Sequence, residues 1–221
     1  MILDLGLVAY GAAHRVQLDL VARRKRHEID DTLVIVQHHP IFTIGRSVSA
    51  SHVLCERDYL TGRHIDVLNV DRGGDITYHG PGQIVIYPII DLKERRRDLH
   101  AYMRLLESSA IAFLRSRGIE AWREEKRTGV WTHKGKIAFI GIAASNWVTY
   151  HGMSINVSTD LSYFRLIRPC GLTGIRVTSM SEMLDRQVTV QEITRSLISD
   201  MSAMLEIYHD DLMQTAGRAL A

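Results

Sequence analysis

The sequence predicts a mixed α+β domain in which a central, mostly antiparallel sheet is flanked by helices from the start, middle and end of the chain. Three observations predict it. Short β-prone runs recur between residues 32 and 90 and again between 129 and 150, split by turn residues in the manner of a meander. Apolar residues fall at helical spacing in three other stretches, from Tyr10, from Asp98 and from Thr189. Neither a linker nor an internal repeat interrupts the 221 residues, which suit one domain, 1–221.

Taken in order, Ala13, Val16, Leu20 and Val21 share one face of a helix over Tyr10–His27, with the basic run Arg23 to Arg26 in its last turn. Thr32 to Val36 and Ile41 to Ile44 read as strands, the second ending at Gly45–Arg46. Ser51 to Leu60 reads as one or two helical turns, and Asp66 to Val70 as a third strand. Ile84 to Ile90 is the next, and its interior Pro88 predicts a sheet edge or a bulge, because proline has no ladder N–H. Asp98 is the expected N-cap of a helix carrying Leu99, Met103, Leu106, Ala110, Phe113 and Leu114 on one face, stopped by Gly118. Gly129 to Thr132, Lys136 to Ala143 and Asn146 to Tyr150 are short β runs, and Ser162 to Ile167 is a helical turn. Capping boxes pair Ser179 with Glu182 and Thr189 with Glu192, and the last helix keeps its period to near Tyr208. The tail after Asp211 is expected to fray.

With 46% hydrophobic residues and 4 prolines, disorder is excluded. Lys and Arg number 27 against 25 Asp and Glu, too even a balance for a nucleic-acid-binding surface. The runs at Arg23 to Arg26 and Arg95 to Arg97 are either solvated helix ends or a rim for an acidic protein partner. Cys55 and Cys170 lie 115 positions apart (170 − 55) without metal-ligand spacing, so neither a disulfide framework nor a zinc site is expected. The N-terminus has no basic stretch before an apolar core, and no apolar run approaches the ~20 residues of a membrane span. The expectation is a cytoplasmic protein with reduced thiols, no membrane contact and a structural role for Cys55.

The chemistry-bearing stretch is DRGGDITYHGPGQIVIYPIID, Asp71 to Asp91. Glycines at 73, 74, 80 and 82, interleaved with Arg72, Thr77, Tyr78 and His79, describe a shaped loop carrying polar groups. A proline-containing hairpin turn is the plainer reading. Downstream, Tyr150-His151-Gly152 repeats the Tyr78-His79-Gly80 pattern. Cys170 sits between Pro169 and Gly171, and is either a small buried hydrophobe or a nucleophile, which it can be only as thiolate. Lys136 opens the apolar run KIAFIGIA and is either solvated at the sheet edge or held near the thiol as an acid/base partner.

The segments RGGDITYHGPGQIVIYPIIDL, TGVWTHKGKIAFIGI, WVTYHGMSINV and DLSYFRLIRPCGLTGIRVTSM, with PIFTIGR at Pro40 to Arg46, together resemble the octanoyl-[acyl-carrier-protein]:protein N-octanoyltransferases of lipoate biosynthesis. The resemblance runs from about Leu5 to Met183. It implies the catalytic-domain fold shared with biotin and lipoate protein ligases. It makes Cys170 the residue that carries the acyl group as a thioester and Lys136 the lysine that lowers its pKa and serves as acid/base. It gives Arg72, Gly73, Gly74, Asp75, Ile76, Thr77, Tyr78 and His79 as the acyl-substrate site, with Phe139, Ile140 and Gly141, and His151, Gly152, Met153 and Ser154. Gly73, Gly74, Gly141 and Gly152 are then expected to let the backbone approach the acyl tail, with Ile140 and Met153 as tunnel walls. The family often has Arg where Ala143 or Asn146 stands, and bulkier or apolar residues around Met153 and Ser154.

The implied activity is two-step transfer of octanoyl from acyl carrier protein to a lysine of a lipoyl domain, with no ATP and no metal. Backbone N–H groups near Cys170 and His79 are candidate oxyanion donors. Implied partners are acyl carrier protein, the lipoyl domains of 2-oxoacid dehydrogenase complexes and glycine cleavage H protein, met by a monomer. Arg46, Arg72, Arg123, Lys126 and Arg127 are candidate docking charges. Two rival readings remain: an ATP-dependent lipoate or biotin ligase on the same fold, and a non-catalytic acyl-protein-binding module.

Overall fold

The central strands are apolar on both faces because both faces are covered. In β2 (Thr32–His38), Leu33 and Ile35 face one side and Val34 and Val36 the other; β6 (Gln83–Ile89) alternates in the same way, Ile84 and Ile86 against Val85 and Tyr87. Helix α1 (Tyr10–Lys25) covers the second face through Ala13, Val16, Leu20 and Val21. Helices α3 (Leu99–Arg115) and α5 (Val190–Met204) cover the first through Leu106, Ala110, Phe113, Leu197 and Met201. The structure, a computed structural model, describes residues 1–46, 53–54, 57–63, 65–168, 175–206 and 214–215. The Cys55 and Cys170 expectations fall outside the described residues.

The remaining elements are β1 (Ile2–Val8), β3 (Ile41–Ile44), α2 (Arg57–Thr61), β4 (Asp66–Asn69), β5 (Ile76–His79), β7 (Trp122–Glu124), β8 (Arg127–Thr132), β9 (Gly135–Ser145), β10 (Val148–Asn156), α4 (Met180–Leu184) and β11 (Gln214–Thr215). The larger sheet runs β11-β1-β2-β6-β10-β9-β8-β7; only the β11–β1 and β1–β2 pairs are parallel. A smaller sheet, β4-β3-β5, packs the rings of Phe42 and Tyr78 with Phe139 and Phe164. The expected α+β class is the observed one.

The capping signals read from sequence are present. Asp98 accepts from Ala101 N, Ser179 from Glu182 N and Thr189 from Glu192 N, and Gly118 takes φ +76° past the end of α3. Four features differ from expectation. Strand β1 has no alternating signal, because Gly6 at φ +64° and a register shift between Asp4 and Leu7 break its period. Strand β5 lies inside the stretch read as loop; its partner is β3, with Ile41 opposite His79 and Ile44 opposite Ile76, and such non-local pairing leaves no local trace. Strand β10 continues through His151 and Gly152 to Asn156, held between β6 and β9. Of the tail, Gln214 and Thr215 pair with Leu3 and Asp4.

Pro88 stands in a central strand, not at an edge. Pairing of β6 with β10 stops at Ile86 opposite Met153 and resumes at a bridge between Asp91 and Val148, so the missing N–H falls where the ladder is open. Thr149 closes the gap: its hydroxyl donates to Pro88 O at 2.8 Å and accepts from Ile90 N at 3.0 Å.

Two arginines of the basic runs are structural. Arg24, only 5% exposed, donates to Asp31 at 2.9 Å and to Glu94, and Arg95 donates to Asp31 at 3.0 Å, tying the end of α1 to the turn after β6. They are not free to greet a partner.

Candidate functional site: a cavity behind the glycine loop

A cavity of about 600 Å³ lies where the glycine loop crosses β9 and β10. Arg72, Gly73, Gly74, Asp75, Ile76, Thr77 and His79 line it, as do Lys136, Phe139, Ile140, Gly141, His151, Gly152, Met153 and Ser154. Of the expected substrate-site residues, Tyr78 alone is not on its wall. Its ring packs on Phe42 and stacks on Tyr163 at 4.6 Å, with its hydroxyl over Gly80, where a Cβ would sit 2.0 Å away. In β5 successive side chains point to opposite faces, so a residue between Thr77 and His79 must point elsewhere. Lining residues that the sequence did not single out include Tyr10, Val85, Tyr87, Trp131 and Ile142. Residues of this kind, placed by pairing and packing distant in sequence, carry no local motif.

The loop is pinned from below by the PIFTIGR segment. Arg72 donates through Nη2 to Thr43 O at 2.7 Å and Thr43 Oγ1 at 2.9 Å, and through Nη1 to Gly73 O at 3.0 Å. It is 7% exposed, so it is a brace and not a docking charge. Gly73 N donates to Ile142 O at 2.8 Å, which fastens the loop to β9. Two of the glycines on the cavity wall also serve close approach within the protein. A Cβ on Gly141 would lie 2.9 Å from Gly73 O, and one on Gly152 would lie 2.3 Å from Ile86 O. Of the other candidate docking charges, Arg123 is paired with buried Glu107 at 3.1 Å, while Arg46, Lys126 and Arg127 are exposed.

Lys136 is 3% exposed, although a strand-opening lysine could as well have been solvated. Its ammonium lies 4.7 Å from the centroid of the Phe139 ring and 5.5 Å from that of Trp131. Its stem lies against Gly129, where a Cβ would meet Cε at 2.5 Å. Gly129 takes φ +120° and donates its N–H to Glu107 Oε1 at 2.9 Å. A glycine inside a predicted strand was the available signal for this channel. The Lys136 backbone is bonded on both sides to the segment 176–178: Lys136 N to Arg176 O at 2.8 Å, and Thr178 N to Lys136 O at 3.0 Å.

One wall of the cavity is a polar aromatic cluster. Asp71 accepts from the Tyr150 hydroxyl and, at 2.7 Å, from His151 Nε2; His151 Nδ1 faces the Tyr10 hydroxyl at 3.3 Å. Burial pushes the His151 imidazole down to about 4, against the pull of Asp71, so the ring is neutral at pH 7. His38, also lowered by burial to about 4, bonds Val8 O at 3.2 Å and the Tyr87 hydroxyl at 2.7 Å. His79 is held well below its ordinary value by burial, and its Nδ1 faces Gln83 Oε1 at 2.7 Å. Gln83 Nε2 donates to Tyr78 O and Asn156 Oδ1, so the His79 hydrogen is on Nδ1 and Nε2 has none to give. His79 therefore cannot be an oxyanion donor. Among the described residues, His14, Asp71 and His151 have ligand atoms within 4.8 Å of one another, but a cation there would displace the Asp71–His151 hydrogen bond.

This arrangement is a lysine-bearing apolar cavity roofed by a glycine loop. The chain matches the lipoyl protein ligase A/B catalytic domain over residues 9–202 and belongs to that family. It is 41% identical to the octanoyltransferase of Caldanaerobacter subterraneus subsp. tengcongensis, over 96% of this chain and 92% of that one. It is 48% identical to the octanoyltransferase of Solibacter usitatus over 81% of each chain. At that likeness it is an acyltransferase of the octanoyltransferase group. Solved structures share the fold: a lipoate-protein ligase A bound with ATP superposes with TM-score 0.80 at 18% identity, covering 99% of this chain and 90% of that one. A biotin protein ligase from Aquifex aeolicus with biotin and ATP gives 0.55 at 14% identity, covering 93% and 70%. Among the described residues no helix is long and apolar enough to cross a membrane.

Proposed function

We propose that the protein transfers octanoyl from acyl carrier protein to a lysine of lipoyl domains through a thioester on Cys170, with Lys136 as acid and base and with neither ATP nor metal. The observation that carries the reading is Lys136 itself, an ammonium on the wall of a cavity that is otherwise largely glycine, aromatic and aliphatic. Its backbone is bonded to Arg176 and Thr178, which fastens the strand that carries it to the segment 175–178.

In the first step the Cys170 thiolate attacks the thioester carbonyl on the phosphopantetheine arm. The bond from the acyl carbon to the pantetheine sulfur breaks, and Lys136 gives that sulfur its proton. In the second step the neutral amine of a lipoyl-domain lysine attacks the enzyme thioester. The bond to Cys170 breaks, the sulfur leaves as thiolate, and the amine's proton passes to Lys136, which restores the starting state. Thioester exchange is nearly isoenergetic and amide formation is downhill, so no nucleotide is consumed. Burial of the chain's methylenes, at roughly 0.8 kcal/mol each, supplies on the order of 5 kcal/mol of binding. The acceptors are lipoyl domains of 2-oxoacid dehydrogenase complexes and glycine cleavage H protein, and the enzyme works as a cytoplasmic monomer, with exposed Arg46, Lys126 and Arg127 facing the acidic partners.

Incubation with octanoyl-acyl carrier protein in the absence of ATP, followed by intact mass measurement, should show one octanoyl adduct that is lost in Cys170→Ala. An adduct formed only with free octanoate and ATP, or transfer surviving in Cys170→Ala, would overturn the reading in favour of a ligase.

A further inference from the structure

Glu107, in the middle of α3, is fully buried, and a buried carboxylate persists only where donors surround it. Arg104 donates to its Oε2 at 2.7 Å, and Arg123 Nε lies 3.1 Å from the same oxygen. Oε1 is left to the Gly129 N–H at 2.9 Å. One side chain thus joins two partly exposed guanidiniums to the strand that runs beside the lysine. Gly129 also adjoins a β-bulge. Val130 stands opposite Ala138 and Trp131 opposite Lys136, so one step along β8 matches two along β9, and Ile137 has no residue opposite it. Ile137 and Ala138 both turn into the core that α3 covers, which leaves Lys136 on the cavity side with Phe139. Without the extra residue, strict alternation would put Lys136 on the face of Ala138, in the core.

We propose that Glu107 is the positioning residue for Lys136: it holds Gly129 in place at the bulge, and Gly129 is the floor on which the lysine stem rests. This rests on the reading that Lys136 is the acid and base of acyl transfer. The floor is close, since a Cβ on Gly129 would lie 2.5 Å from Lys136 Cε and 3.1 Å from Nζ. Any outward shift of Gly129 opens space beneath a side chain with four rotatable bonds, and the ammonium loses its fixed place over the Phe139 ring. A carboxylate suits the task because its two oxygens serve three donors at once, which the single oxygen of a carboxamide at that place does less well. The two arginines make the buried charge tolerable, and the bond to Gly129 is the one that reaches the site.

The test reads the lysine's position apart from its chemistry. Lysine-labelled protein gives ¹H–¹³C signals for each ε-methylene, and that of Lys136, assigned by its loss in Lys136→Met, carries the ring-current shift of Phe139 and Trp131. Glu107→Asp keeps the charge for both arginines but falls about 1.5 Å short of Gly129 N; Glu107→Gln keeps the length and loses an acceptor. In whichever of the two folds, the Lys136 signal should move, and single-turnover octanoyl transfer should fall by about tenfold to a hundredfold with KM for octanoyl-acyl carrier protein unchanged within about twofold. Arg104→Ala, which removes a partner of Glu107 and leaves the Gly129 bond, should keep both the signal and the rate. An unmoved Lys136 signal in a folded Glu107 variant overturns the proposal, as does a moved signal with the parent's rate, or an equal loss in Arg104→Ala. If the signal moves as expected but the parent protein itself never transfers octanoyl, Glu107 still positions the lysine and the proposed function falls.

Discussion

Replacing Gly129 by alanine tests whether the placement of Lys136 matters more than its presence. The new methyl would sit 2.5 Å from Lys136 Cε, 2.6 Å from Ala138 O and 3.1 Å from Lys136 Nζ. Two carbons rest about 3.5 Å apart or more, so the lysine stem must retreat by about 1 Å, while the Ala138 carbonyl, part of β9, has little room to yield. The backbone at φ +120° adds strain of order 1–3 kcal/mol for any residue but glycine. A reacting group misplaced by about 1 Å loses on the order of a hundredfold in rate. The assay is single-turnover octanoyl transfer to a lipoyl domain, with Lys136→Met as the reference for complete loss of the ammonium, and urea unfolding run in parallel to separate strain from chemistry. A folded Gly129→Ala protein that transfers within about threefold of the parent would refute the argument that the channel beside Gly129 positions the lysine.

Two further outcomes follow from the packing. His38 and His151 are both lowered to about 4 from 6.5, so the unfolded chain takes up protons first as pH falls below 6.5, and stability drops until about 4. Urea unfolding at pH 5 should therefore show a loss of about 2 kcal/mol for each relative to pH 7, and a flat profile between the two would contradict the buried neutral rings. Thr149→Val removes the hydroxyl that serves both Pro88 O and Ile90 N, leaving a buried N–H without its acceptor. It should lower unfolding free energy by about 1–3 kcal/mol with transfer chemistry retained, and a change below about 0.5 kcal/mol would remove Thr149 as the device that lets proline sit in mid-sheet.

The sequence by itself determined the class of fold, the three long helices with their caps, and most of the residues that meet at the cavity. These are local signals: a capping Asp98 or Thr189 acts within one turn, apolar period is read within one element, and the glycine loop and its motif are contiguous. Tertiary structure alone decided what each motif residue does. Arg72 reads as a charge for a partner until Thr43, 29 positions away, is seen to hold it. Gly141 and Gly152 read as room for a ligand, and only the folded chain shows that Gly73 O and Ile86 O require the same absence of a side chain. Pro88 reads as an edge residue until Thr149, 61 positions on, supplies what its nitrogen cannot. Which ring nitrogen of His151, His38 and His79 is engaged is likewise set by Asp71, Val8 and Gln83, contributed by three different segments. Spacing along a chain fixes which side chains share an element's face; which atom satisfies a buried donor or fills a gap depends on contacts between elements, and those exist only once the sheet has closed.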